Sequence, residues 1–159
     1  MHARRGEEVS TFKEVEPGRF TFFQRATLGA PISETWPTLR DFPQIAKILI
    51  PAGVFQWVEG HSLPKLPARY QLTLGDLTLQ EEITACDERE HAVRYHLRSP
   101  GLGMQTYSAE IKFTPEGEKQ TVVEYSREIT LQAGASVEPL KQIIDQQLVA
   151  LKTHFSRHA

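Results

Sequence analysis

A single cysteine, Cys86, occurs in the 159 residues. That excludes an internal disulfide and the paired thiolates of most structural zinc sites. Chains from reducing compartments are built this way. Excess positive charge is also missing: 18 Lys and Arg stand against 20 Asp and Glu, a formal net charge of −2. Without a concentrated basic face, nucleic acid is not an expected partner. No apolar run approaches the roughly 20 residues that cross a bilayer. The richest, Ile45 to Phe55, is broken by Lys47, Pro51 and Gly53. Met1 to Glu16 mixes acids with bases and lacks the apolar stretch of a signal peptide. These absences predict a soluble, cytoplasmic protein with no membrane insertion, and leave monomer and dimer both open.

Catalytic motifs are scarce as well. Gly101-Leu102-Gly103 lacks the third glycine of a phosphate-binding loop and lies between predicted strands. No nucleophile elbow occurs, and Ser, His and Asp share no recognisable local context. His154 and His158 are four apart on a predicted helix, a spacing that permits metal binding. They lack a nearby thiolate or clear carboxylate ligand, and cations are favourable at a helix C-terminus in any case. No metal and no cofactor is assigned.

What is present is a core: 40% of residues are hydrophobic and 24% charged, in a chain of one-domain length. Residues 1–17 read as a polar lead-in, and 18–159 as a single domain. Arg19–Thr27 alternates as a strand. Pro31 to Phe42 then changes to a helical period, with Ser33 as candidate cap and Ile32, Trp36 and Leu39 on one face. Gln44–Leu49 offers a second short helix. Six strands follow: Val54–Glu59, Ala68–Leu74, Leu77–Asp87, Ala92–Arg98, Met104–Thr114 and Thr121–Leu131. Gly75-Asp76, Pro100 to Gly103 and Pro115 to Glu118 supply turn chemistry, and separators this short favour antiparallel hairpins. From Ser136, a candidate cap, Leu140, Ile143, Ile144, Leu148, Leu151 and Phe155 form a stripe on a helix of about 20 residues.

Seven strands with one apolar face need a cover, and only the last helix is long enough to provide it. The predicted class is α+β: a seven-stranded curved antiparallel sheet wrapped around a long C-terminal helix, with two short helices after strand 1. This order resembles the helix-grip fold of the START and birch-pollen-allergen superfamily. Ala30-Pro31, Trp36 and Leu39 to Phe42 look like that superfamily's opening pattern. Glu81 to Asp87, followed by Val93-Arg94-Tyr95, is similar to its mid-sheet pattern. The resemblance covers about residues 19–156, most closely the bacterial polyketide cyclase/dehydrase-like branch. It implies a cavity between sheet and helix. The segment Ile45 to Pro51 departs from the family's common Trp-and-Pro pattern, so the mouth of the cavity is expected to differ.

Period-two alternation puts Leu77, Leu79, Glu81, Ile83 and Ala85 on one face, opposite Cys86. Glu81 thus falls among hydrophobes, where a lone carboxylate either raises its pKa or finds a partner. Arg127 shares the apolar face of Val123, Tyr125, Ile129 and Leu131, and a Glu81–Arg127 pair across the cavity would satisfy both. The plainer alternatives put Glu81 at a rim or a bulge with Glu82 inward, and Arg127 in solvent. His96, Arg94 and Arg98 form a basic stripe on the outer face, read as solvated.

The candidate ligand-binding set is Trp36, Tyr70, Leu79, Glu81, Tyr95, Tyr107, Tyr125, Arg127, Ile144 and Leu148, with Glu81 the one catalytic candidate. The leading function is enclosure of a hydrophobic small molecule, lipid or polyketide-like, by a carrier or sensor. A cyclase, aromatase or dehydratase using cavity acid–base groups is the enzymatic alternative. A protein-interaction module is the third, and it would need an exposed apolar patch.

Overall fold

A computed structural model describes residues 8–156. In strand β2 (Arg19–Leu28), Phe20, Phe22, Gln24, Ala26 and Leu28 are buried in strict alternation with half-buried neighbours. The same period shapes β3 (Val54–Trp57), β4 (Ala68–Leu74), β5 (Leu77–Asp87), β6 (Ala92–Leu97), β7 (Met104–Glu116) and β8 (Gln120–Leu131). One antiparallel sheet results, in the order β1-β2-β8-β7-β6-β5-β4-β3. It has eight strands, one more than expected. The addition is β1 (Val9–Glu16), which pairs with β2 and corrects the expected lead-in; residues 1–7 of that segment lie outside the described residues. Its polar composition hid it, because an edge strand is held by backbone pairing and needs little apolar surface. Phe12 adds a side-chain contact, with ring centroids 5.2 Å from Phe20 and 4.8 Å from Phe22.

Helices α1 (Ile32–Arg40) and α2 (Phe42–Leu49) follow β2, and α3 (Glu138–His154) closes the order. Neither predicted cap serves as the N-cap residue. Pro31 precedes α1 and its carbonyl accepts the Glu34 and Thr35 amides, which leaves Ser33 inside the first turn. Val137 stands at the cap of α3, while Ser136 Oγ accepts the Glu138 amide at 3.3 Å. The buried stripe of α3 is Leu140, Ile144, Gln147, Leu148 and Leu151. This 17-residue helix lies along the concave face and packs against α2 and β2. The Thr121 hydroxyl donates to the Ala30 carbonyl at 2.8 Å and contacts Thr35 Oγ1 at 2.9 Å, tying α1 to β8.

Two register shifts change which residues face inward. In β5 the pairing slips between Ile83 and Ala85, so Ala85 pairs with Arg94 and Cys86 with buried Val93. Cys86 therefore turns to the side of Glu81, contrary to simple alternation, and burial pushes its thiol pKa up. In β7 a shift between Met104 and Thr106 lets both Met104 and Tyr107 face the interior.

Candidate functional site

The sheet curves away from the helices far enough to leave a cavity of about 450 Å³. Its wall is largely apolar: Leu72, Leu79 and Ile129 from the sheet, Leu49 from α2, and Leu140 and Ile144 from α3. Tyr70, Glu81, Tyr95, Tyr107 and Gln147 interrupt that wall. Few polar groups on a mostly apolar surface is the composition of a small-molecule site, where they set orientation.

Cross-strand register explains the polar positions. Tyr70 on β4 pairs directly with Glu81 on β5, and its hydroxyl donates to Glu81 Oε1 at 3.0 Å. Glu81 is only 4% exposed, so inversion with Glu82 does not occur. Glu82 faces outward instead and meets Arg69 at 2.7 Å. Burial raises the Glu81 pKa from 4.5 to about 7, against the lowering pull of the Tyr70 hydrogen bond. Burial also pushes the Tyr70 hydroxyl well above its usual range, and the adjacent carboxyl adds to that.

The anticipated Glu81–Arg127 pair does not form. Their strands are separated by β6 and β7, so three inter-strand spacings, about 14 Å in all, lie between β5 and β8. Arg127 is buried and donates to Gln24 Oε1 at 2.8 Å and to Gln147 Oε1 at 2.6 Å. Its guanidinium lies over the Tyr125 ring, 3.3 Å from the centroid, and its Nε is buried without a partner among the described residues. Tyr95 links this cluster to the cavity: its hydroxyl bonds that of Tyr125 and lies 3.2 Å from that of Tyr107.

Of the candidate set, Tyr70, Leu79, Glu81, Tyr95, Tyr107 and Ile144 line the cavity. Tyr125, Arg127 and Leu148 are buried but stand outside the lining. Trp36 also stands apart, because its indole N–H donates to Glu88 at 2.7 Å and its ring meets His91 edge-on. Gln24 and Gln147 escaped the sequence reading. Both occupy positions of an apolar period, Gln24 within the β2 alternation and Gln147 within the α3 stripe. A polar residue at a core-facing step was the available signal.

On the outer face, the expected solvated basic stripe is paired with acids. Arg94 meets Glu110 at 2.6 Å, and His96 and Arg98 both approach Glu82. Among the described residues, no group of three or more His, Cys, Asp or Glu is placed to hold a metal ion. His158, half of the histidine pair, lies outside those residues. No helix among them is long and apolar enough to cross a membrane.

An eight-stranded sheet gripping a C-terminal helix around an internal cavity defines a helix-grip protein. The family described as "Polyketide cyclase / dehydrase and lipid transport" matches residues 19–156, and the chain belongs to it. That membership suggests binding of hydrophobic ligands. Solved structures share the fold. A Bacillus thuringiensis protein matches with TM-score 0.70 and 18% identity, covering 85% of this chain and 98% of that one. A Nitrosospira multiformis protein gives TM-score 0.70 and 18% identity over 86% and 97%. A Thermobifida fusca protein gives 0.71 and 17% over 87% and 94%. No curated protein matches the chain.

Proposed function

We propose that the protein encloses a hydrophobic small molecule, lipid or polyketide-like, as a carrier or sensor. The observation that carries this reading is the cavity of about 450 Å³, apolar over most of its wall and edged by tyrosine, glutamate and glutamine. A volume of this order suits a small organic ligand. Family membership supports the same reading. Native mass spectrometry of freshly purified protein should show a retained small molecule. Titration with the neutral dye phenylnaphthylamine should show saturable uptake, weakened in Ala150→Phe, where added bulk enters the lining. A bare chain that takes up no dye, or uptake unchanged in the filled variant, overturns the proposal.

One observation favours a second, enzymatic reading as a cyclase, aromatase or dehydratase. A carboxyl raised to about 7 inside the cavity can give or take a proton near neutrality, which suits general acid–base work. Recovery of a retained ligand chemically unchanged after prolonged incubation would count against turnover.

A further inference from the structure

We propose that the molecule held in this cavity carries a carboxylate head, seated against the Tyr107 hydroxyl and the Gln147 amide in front of the buried Arg127 guanidinium. This rests on the binding reading above and adds the chemical class of the ligand.

A guanidinium only donates. Its bond to Gln147 Oε1 at 2.6 Å therefore fixes that amide, leaving the NH2 as the free group of a residue that lines the cavity. Gln24 is held on both sides: its Oε1 accepts from Arg127, and its Nε2 donates to the Ile144 carbonyl at 3.4 Å.

Tyr107, Tyr95 and Tyr125 form a chain of three hydroxyls joined by two contacts. Three protons for two bonds leave one proton to donate outside the chain. Tyr125 is fully buried, and among the described residues its hydroxyl has only Tyr95 as hydrogen-bond partner. An unpaired donor there would be costly. Tyr125 therefore donates to Tyr95, and the Tyr95 hydrogen bond lowers the Tyr107 pKa, as a bond donated to Tyr107 does, so the spare O–H is that of Tyr107, which lines the cavity. Burial raises the Tyr95 and Tyr107 pKa values, so both remain protonated donors.

Gln147 and Tyr107 are both hydrogen-bond partners of Arg127, so two donors face the end of the cavity that this cation backs. The hydrogen-bond partners of Arg127 are the neutral amide oxygens of Gln24 and Gln147 and the neutral Tyr107 hydroxyl, and its Nε has none among the described residues. A buried charge without a counter-ion is expensive, and an anion bound in front of it offsets that cost. Donors plus positive potential select an oxygen acceptor bearing negative charge. The opposing group is Glu81, across the lining on β5, which would favour an amine when ionised.

Isothermal titration with decanoate, methyl decanoate, decanol and decylamine, below the Glu81 midpoint of about 7, separates these chemistries. Decanoate should bind about tenfold or more tightly than each of the others, the scale of a charge-assisted bond. Tyr107→Phe and Gln147→Leu should each weaken decanoate several-fold while leaving decylamine unchanged. Equal or tighter binding of the ester, alcohol or amine overturns the proposal, as does decanoate binding untouched in both variants. If phenylnaphthylamine still enters the cavity, only the carboxylate assignment falls. If neither dye nor any ten-carbon compound binds, the cavity reading falls with it.

Discussion

Tyr70 and Glu81 occupy directly paired positions on β4 and β5, with the phenolic hydrogen donated to the carboxyl at 3.0 Å. This one contact sets the behaviour of the most unusual ionisable group in the cavity. Burial favours the neutral acid, and the hydrogen bond favours the carboxylate. Burial dominates, and the balance lies at about 7.

Stability should therefore fall as pH rises through that window. The folded state holds the Glu81 proton up to about 7, while the unfolded chain releases it near 4.5. Below 4.5 both states are protonated and the contribution is fully present. Between the two values it is progressively lost, by about 3 kcal/mol in total. Urea denaturation across this range should show the slope in the natural protein and a flatter profile in Glu81→Gln. Identical profiles would contradict an elevated Glu81.

Tyr70→Phe removes the donor that stabilises the ionised form. The Glu81 midpoint should move above about 7, since the remaining influence, burial, only raises it. Carbon-13 NMR titration of labelled glutamate carboxyls would read this directly, and a midpoint that falls would be the contrary result.

Arg127 holds two amides that have no other acceptor-side role. Arg127→Met strands both Gln24 and Gln147 oxygens, at about 1–3 kcal/mol each. Replacing both glutamines by Leu in the Arg127→Met background should recover part of that loss. Arg127→Lys should also destabilise, because a compact ammonium cannot reproduce the planar fork. Thermal and urea unfolding of the series measures the coupling, and strict additivity would argue against a network.

Gly101→Ala tests how the cavity wall is supported. A Cβ at this position would come within 2.8 Å of Leu79 Cδ2, the flexible end of a side chain that lines the cavity. Leu79 should yield inward at small cost in stability, under about 1 kcal/mol. Phenylnaphthylamine uptake should weaken several-fold, and unaltered uptake would show that Leu79 does not move into the space.

Thr121 holds α1 to β8 through a carbonyl and a second hydroxyl, both buried. Thr121→Val leaves the Ala30 carbonyl and the Thr35 hydroxyl without that partner, and should lower unfolding stability by about 1–3 kcal/mol. Equilibrium urea denaturation checks it.

Much of this architecture was legible because strand alternation and helical periodicity are local. Phe20 and Phe22 mark the inner face of β2 from spacing alone, and Leu140, Ile144, Leu148 and Leu151 mark that of α3. β1 was illegible for the converse reason, since Ser10, Lys13, Glu14 and Glu16 give no apolar period. The inward turn of Cys86 depends on a bulge, and one extra residue inverts every face after it.

Sequence alone thus determined the order of elements from β2 to α3 and most of the apolar residues that turn away from water, since both follow from the period of neighbouring side chains. It did not determine who meets whom. Glu81 and Arg127 both lie in the interior, yet one is bound by Tyr70 and the other by Gln24 and Gln147. Those partners lie 11, 103 and 20 residues away in the chain, brought close by strand order, register and the seating of α3. The cavity itself is also a tertiary property. Its volume is the difference between the curvature of eight strands and the side chains that α2 and α3 place inside them.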